Sequence, residues 1–262
     1  MVEYMCHLEL IRILLSLIFL SVSSWYDYKF REVSDRIWLL FAPISLVLTF
    51  TQYYLEFTIK ADYSIFLFWL LSLGVTIPIS LLLFYLGFFG GADAKALICL
   101  SLAMPAYPSI SNAQFNSMLP IFPLAVLVNA VFAASALTLI ITCHNIFEYL
   151  HVRGEMFRGF EHEPCWKKML VFITGVRINP KRLKDSHYIP LEYAVKGKSG
   201  EVTRYLRVSP QIEEECPAHI EVLNGHVWAT PGLPFLIFMT IGYVIALLLG
   251  DFVDWMLILL FP

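Results

Sequence analysis

Long apolar segments without charge most constrain what this chain can fold into. One of them, residues 65–85, contains no charged side chain at all. About 20 consecutive apolar residues suffice to cross the hydrocarbon of a bilayer as a helix. Hydrophobic residues make up 58% of the 262 positions and charged residues only 15%, which is unlike the usual composition of soluble domains. The sequence therefore predicts a polytopic α-helical membrane protein.

The hydropathy pattern predicts six transmembrane helices. The fourth meets Pro105 early, so its apolar part is only about 16 Å long at 1.5 Å per residue. The fifth contains Asn129, whose amide needs a polar partner, so we expect it to face another helix. Arg12, near the start of the first, is expected to extend toward the headgroups; a signal peptide is the alternative there, although no A-x-A cleavage site follows. The predicted helices lie near residues 10–25, 37–54, 65–85, 94–104, 118–141 and 233–249.

Positive charge is concentrated between the fifth and sixth predicted helices. Residues 144–228 hold 12 of the 18 Lys and Arg residues, so we expect a water-exposed domain there. We therefore divide the chain into a membrane domain at 1–143, a cytoplasmic domain at 144–230, and the sixth helix with its tail at 231–262.

The expected fold of the water-exposed domain is a small, largely antiparallel β unit. Residues 189–195 and 202–208 alternate around a Lys- and Gly-rich turn, which indicates two antiparallel strands. Asn224-Gly225, between 220–223 and 226–229, is the strongest short hairpin signal. Residues 166–176 suggest a short interfacial helix before these strands.

The basic residues of the short loops predict the orientation in the membrane. The loop after the first helix carries Lys29, Arg31 and Arg36, and the turn before the fourth carries Lys95, whereas the second loop has only Lys60. Because cytoplasmic loops carry an excess of Lys and Arg, we expect the N-terminus outside and the charged domain in the cytoplasm.

Two aspartates lie at helix ends on the same predicted face. Asp27 closes the first helix, and Asp93 lies in the stretch L-G-F-F-G-G-A-D-A-K at 86–95, where the fourth helix begins. Two crossings separate them, and an even number returns the chain to the same side. If the first and fourth helices are neighbours, the two acids meet at the cytoplasmic edge. Taken singly, Asp93 is equally explained as a helix cap and Asp27 as a solvated charge.

Two adjacent carboxylates offer an acid and a base without a metal or cofactor. In a partly desolvated site they do not both ionise easily, so the pair retains one proton over a range of pH. The charged member can accept a proton from an attacking water while the other donates to an amide carbonyl. Gly90 and Gly91, lacking Cβ atoms, would permit positive φ and close approach of a substrate backbone.

The residues G-G-A-D-A-K at 90–95, with D-Y-K-F-R-E-V-S-D-R-I-W at 27–38, closely resemble the archaeal preflagellin peptidases. These belong to the type IV prepilin peptidase group of GxGD membrane aspartyl proteases. The resemblance extends along the chain, including F-P at 122–123, Asn129 and W-A-T-P-G-L-P at 228–234. It implies six helices with a cytoplasmic domain before the last, and removal of a short basic leader from preflagellin or pilin-like precursors.

The resemblance also assigns roles to individual residues. It implies that Asp27 and Asp93 are the catalytic pair, and that Gly90, Gly91, Ala92 and Lys95 support the site or bind substrate. Ala92 stands where the GxGD pattern has its second glycine, so a tight turn at that position is in question. The bacterial four-cysteine insert is missing, which predicts cleavage without methylation and without a cofactor.

Other classes of function are less favoured. A proton-coupled small transporter using the same acids would place them nearer the midplane, within paired, broken helices, and a non-catalytic assembly factor would leave them dispensable. His144, Glu148 and His151 have helical metal-ligand spacing but lack a further ligand in register, so we predict no metal site. The net charge of −3 is too small and dispersed to indicate nucleic acid as a partner.

Overall fold

The computed structural model describes residues 2–109, 119–151, 155–180, 183, 188–196, 202–207, 225–232, 234–254 and 256. It contains two compact units: the residues up to Ala134 together with those from Pro234 onward, and the residues from Ser135 up to 233. The helices are α1 (Val2–Phe30), α2 (Asp35–Lys60), α3 (Ser64–Tyr85), α4 (Gly91–Ala103), α5 (Phe122–His151), α6 (Cys165–Thr174) and α7 (Phe235–Leu248).

Four of the described helices, α1, α2, α3 and α5, are long and apolar enough to cross a membrane. The six predicted crossings are not confirmed. The two other candidates, α4 and α7, have 13 and 14 residues. At 1.5 Å per residue each is about 20 Å long, shorter than the hydrocarbon core of a bilayer. The fold is compatible with the predicted class, a polytopic α-helical membrane protein.

The short helix α4 lies at the centre of the first unit. It packs against α2 and α3 most extensively and also contacts α1 and α7. Its residues Ala96, Leu97 and Leu100 are fully buried. They belong to one apolar core together with residues from α1, α2, α5 and α7, including Leu20, Phe41, Phe122, Met239 and Tyr243.

The nitrogen and the oxygen of the Asn129 amide are both hydrogen-bonded, as expected for a polar group in an apolar helix. Its Nδ2 donates to the Gly250 carbonyl at 2.9 Å, and its Oδ1 accepts from the Phe252 N–H at 2.9 Å. The partner is therefore the chain that follows α7, rather than the interior of a neighbouring helix. These two bonds fasten that segment to α5.

The second unit contains the antiparallel strands, as predicted for this region. Strand β1 (Val176–Ile178) and strand β2 (Tyr188–Pro190) both pair with β5 (Val227–Pro231), while β3 (Glu192–Lys196) pairs with β4 (Val202–Leu206). The predicted strand 189–195 is thus split at Leu191, whose N–H donates to the Trp228 carbonyl at 2.9 Å.

The second predicted hairpin falls largely outside the described residues, because 220–224 lie in that part of the chain. Its other half forms β5, which the structure pairs with β1 and β2. The predicted interfacial segment does form a helix, α6, close to the expected bounds. The core of this unit consists of Met156, Phe160, Val171, Leu191, Leu206 and Trp228.

Gly242 on α7 allows the backbones of α5 and α7 to touch. A Cβ at this position would lie 2.5 Å from the Val126 carbonyl oxygen and 2.7 Å from the Ala130 nitrogen. Small residues permit such close approach of membrane helices. We predict that Gly242→Ala lowers the free energy of unfolding by about 1–3 kcal/mol, because two backbones must separate.

The matched control is Gly74→Ala on α3, where a Cβ would meet nothing within 4 Å. Thermal unfolding of the purified protein in detergent compares the two variants. Equal melting temperatures for Gly242→Ala and Gly74→Ala would contradict the proposed backbone contact.

Glu192 and Arg204 form a buried ion pair between β3 and β4. Arg204 Nη2 donates to the two carboxylate oxygens of Glu192 at 2.6 and 2.7 Å, and Glu192 is only 1% exposed. Burial raises the pKa of Glu192, against the opposing effect of the Arg204 guanidinium. We predict that Arg204→Ala destabilises the second unit by about 3–5 kcal/mol, since it leaves a buried carboxylate without its cation.

Replacing both partners, with Glu192→Leu and Arg204→Met, should restore much of that loss. Protease resistance of the second unit against temperature measures the effect. If Arg204→Ala alone resists protease as well as the unmodified protein, the ion pair does not stabilise the second unit.

Candidate active site

Asp93 lies in the first turn of α4 and closes that helix end. Gly90 is the N-cap residue, and its N–H donates to Asp93 Oδ2 at 2.9 Å. A carboxylate at this position also interacts favourably with the positive end of the helix dipole. The capping role considered from the sequence is therefore real. The cap uses only one of the two carboxylate oxygens of Asp93.

The other oxygen of Asp93 distinguishes it from an ordinary cap. Asp93 is 8% exposed, and its Oδ1 is buried with no hydrogen-bond partner among the described residues. Buried polar atoms are usually hydrogen-bonded, and an exception requires an explanation. An acceptor of this kind is available for a water molecule or a substrate group.

Asp27 lies in the last turn of α1 and is half-buried. Helix α1 contacts α4, so the condition for the acids to meet is satisfied. The two aspartates that the sequence singled out thus lie on helices that contact each other, each at the end of its own helix.

The expected role of the glycines in positive-φ turns is wrong for both candidates. Gly90 has φ −72° and Gly91 begins α4, whereas the positive φ of this turn, +76°, belongs to Gly87. Gly90 matters for a different reason: a Cβ there would lie 3.2 Å from Asp93 Oδ2, so the carboxylate would have to shift by a few tenths of an ångström. At Gly91 the corresponding distance is an ordinary 3.9 Å, to the Phe84 ring.

Ala92 occupies the second position of α4, so helical backbone angles are all that it needs. Alanine has the best helix propensity of any residue, so alanine in place of the second glycine of the GxGD pattern causes no backbone strain here.

Lys95 does not approach the aspartate pair through a described contact. Its Nζ binds Asp35 Oδ1 at 2.5 Å, and both side chains are largely exposed. Such a surface pair contributes about 0–1 kcal/mol.

Sequence reasoning missed the polar side chains that hold α4. Ser80, fully buried on α3, donates to the Ala94 carbonyl at 2.8 Å.

The expectation that Arg12 extends toward the headgroups is wrong. Arg12 is 3% exposed and donates to the Ala103 carbonyl from Nε at 2.9 Å and from Nη2 at 2.6 Å. A charged residue within an apolar segment was the available signal.

The possible metal ligands on α5 do not form a cluster. Glu148 Oε1 accepts from Arg177 Nη1 at 3.3 Å. Within the described ranges, no three His, Cys, Asp or Glu side chains are grouped so that they could hold a metal ion. Two carboxyl groups at a shared site are chemically able to act as a proton acceptor and a proton donor.

Two protein families match this chain. Residues 14–143 match the type IV leader peptidase family, and residues 167–252 match the archaeal peptidase A24 C-terminus, type II. Together the two matches span most of the chain. The first contains both aspartates, α1 from its middle onward, and the whole of α4.

Similar proteins span nearly the same length. The preflagellin peptidase of Methanocaldococcus jannaschii is 27% identical over 254 residues, covering 92% of this chain and 95% of the relative. That of Methanococcus voltae is 27% identical, with 90% and 94% covered. That of Methanococcus maripaludis is 23% identical, with 88% and 92% covered.

Proposed function

This chain belongs to the type IV leader peptidase family, and on that premise we propose that it is a membrane aspartyl endopeptidase. Its substrate is a preflagellin or type IV pilin-like precursor, from which it removes the short basic leader peptide. The relatives named preflagellin peptidase support this substrate class. The observation that carries the proposal is the buried Asp93 carboxylate, one oxygen of which has no hydrogen-bond partner among the described residues, on a helix that contacts the helix of Asp27.

The proposed reaction is direct attack of water on the scissile amide. One aspartate is charged and accepts a proton from the water, and the other is protonated and donates to the carbonyl oxygen of the substrate. The tetrahedral intermediate then collapses with proton transfer to the leaving nitrogen. No covalent enzyme intermediate forms, and the chain's own residues supply every proton transfer.

The active site is proposed to lie at the cytoplasmic face of the cell membrane. The two helices between the acids, α2 and α3, are both long and apolar enough to cross, which supports an even number of crossings. The basic residues after α1 support the cytoplasmic side. On the same grounds we propose a membrane domain at 1–143, a cytoplasmic domain at 144–230 and a final membrane helix with its tail at 231–262.

The supporting residues have distinct proposed tasks. Gly90 orients the Asp93 carboxylate through its N–H, while Gly91 and Ala92 form the first turn of α4 without obstructing an approaching substrate backbone. Lys95, paired with Asp35, joins the beginnings of α2 and α4. The transporter alternative lacks support here, because the acids occupy helix ends and not interrupted helix centres.

The proposed mechanism predicts that Asp27→Asn and Asp93→Asn each abolish cleavage, because an amide can neither accept the proton of water nor share one with its neighbour. We expect a loss of at least about 1000-fold in the rate. The measurement is conversion of a preflagellin precursor by membranes that contain equal amounts of each variant.

The matched control is Asp35→Asn, which removes an exposed acid near the same membrane edge and is expected to retain cleavage within about threefold. Cleavage by either catalytic variant at the control rate would remove that aspartate from the mechanism. A failure of the unmodified protein to cleave would reject the proposed substrate.

The geometry of the turn predicts unequal effects of adding one methyl group. Gly90→Ala should lower the cleavage rate about 10- to 100-fold, since its Cβ would press on the Asp93 carboxylate. Gly91→Ala should have a small effect, because its Cβ would make an ordinary contact. Initial rates in membranes compare them, and a larger loss for Gly91→Ala would contradict this reading of the turn.

A further inference from the structure

Arg12 is a buried charge whose contacts all lie within the first unit. Besides its two bonds to the Ala103 carbonyl, Nη1 donates to Gln52 Oε1 at 2.6 Å, and the guanidinium lies 5.4 Å from the centre of the Tyr53 ring. A charge removed from water is costly unless it is paired and hydrogen-bonded. An ionisable residue inside a membrane helix is therefore a candidate for function by default.

The contact point is the end of the helix that carries Asp93. Ala103 is the last residue of α4, and carbonyls at a helix C-terminus lack partners within the helix and carry partial negative charge. Thr49 Oγ1 on α2 donates to the same carbonyl at 3.1 Å. Three donors thus converge on one oxygen, and two of them come from a planar cation whose geometry fixes direction as well as distance.

Arg12 hydrogen-bonds α1 to α4. Within the described residues, side chains of two other helices, α2 and α3, also donate to α4 carbonyls: Thr49, Ser80 and Trp69, whose Nε1 donates to Ser101 O at 3.2 Å. Helix α1 is also bound to α7, by Tyr243 Oη donating to the Ile13 carbonyl at 3.0 Å. That bond does not involve α4.

The Arg12–Ala103 contact and the two aspartates lie at opposite ends of the same stretches of α1 and α4. Arg12 and Asp27 are separated by about 22 Å of α1, and Ala103 and Asp93 by about 15 Å of α4, at 1.5 Å per residue. A helix is stiff along its axis, so a slide of α1 at Arg12 carries Asp27 with it. A shift at the Arg12–Ala103 contact would therefore change the position of Asp27 relative to Asp93.

We propose that Arg12 is a positioning residue that fixes the register of α1 against α4 and thereby the separation of Asp27 from Asp93. The inference rests on the proposed function. A buried ion can often be replaced by an apolar side chain of similar volume with no loss of stability. A buried arginine at this position is explained if it specifies one arrangement of α1 against α4.

The test compares Arg12→Met with Tyr243→Phe. Arg12→Met fills similar volume but loses the α1–α4 bonds, whereas Tyr243→Phe removes a bond to the neighbouring residue of α1 and removes none of the hydrogen bonds described above to α4. We expect Arg12→Met to lower kcat about 10- to 100-fold, with KM changed less than about threefold. The pH profile of cleavage should also shift, because the separation of two acids sets how they titrate together.

A second variant and a second readout keep the result interpretable. Arg12→Lys retains the charge but not the two-point contact, so it should show the same shift to a smaller extent. Cross-linking between Asp27→Cys and Asp93→Cys, in a chain whose five native cysteines are replaced, reports their proximity without catalysis. Arg12→Met should slow this cross-link, and Tyr243→Phe should not.

The outcomes separate the two proposals. If the unmodified protein does not cleave, the proposed function fails, while the cross-linking rate still tests the positioning of α1 against α4. If Arg12→Met cross-links at the unmodified rate and retains the pH profile, the positioning role is wrong, whatever its effect on activity. If Tyr243→Phe also shifts the pH profile of cleavage and slows the cross-link, the effect comes from the packing of α1 in general and not from Arg12.

Discussion

The hydrogen bonds that neighbouring helices make to the carbonyls of α4 are the interactions on which this site depends. Helix α4 has only 13 residues, yet it carries Asp93 and packs against four other helices. Donors from α1, α2 and α3 reach its backbone near both ends, at Ala94 and Ala103. Bonds from three neighbouring helices at both ends oppose rotation and sliding of α4, while the Gly90–Asp93 bond holds the first turn together.

This arrangement also explains how a polar site exists in so apolar a chain. Two buried charges of the first unit contact the ends of α4, where the backbone provides partial charges of opposite sign. Asp93 lies at the N-terminal end of α4 and Arg12 contacts its C-terminal end. The short length of α4 brings both of these ends within the protein, where side chains of longer neighbouring helices can reach them.

Local patterns in the sequence predicted the helices and the pairing of β3 with β4, because hydropathy and alternation act over a few residues. They also singled out Asp27 and Asp93, since charge next to lipid is unusual. Three features were beyond such patterns. The burial of Arg12 depends on Ala103, the tight space at Gly90 depends on a side chain three residues away, and β5 pairs with strands distant in sequence. Each is decided by tertiary contacts.

The central claim is that the two aspartates act as one unit. A double-mutant cycle tests it most directly, with residual cleavage measured for Asp27→Asn, Asp93→Asn and the two combined in the same membranes. Groups that act together are strongly non-additive, so the double variant should be no slower than the slower single variant. If the two losses instead multiply in the double variant, the carboxyls act independently and the shared-proton account is contradicted.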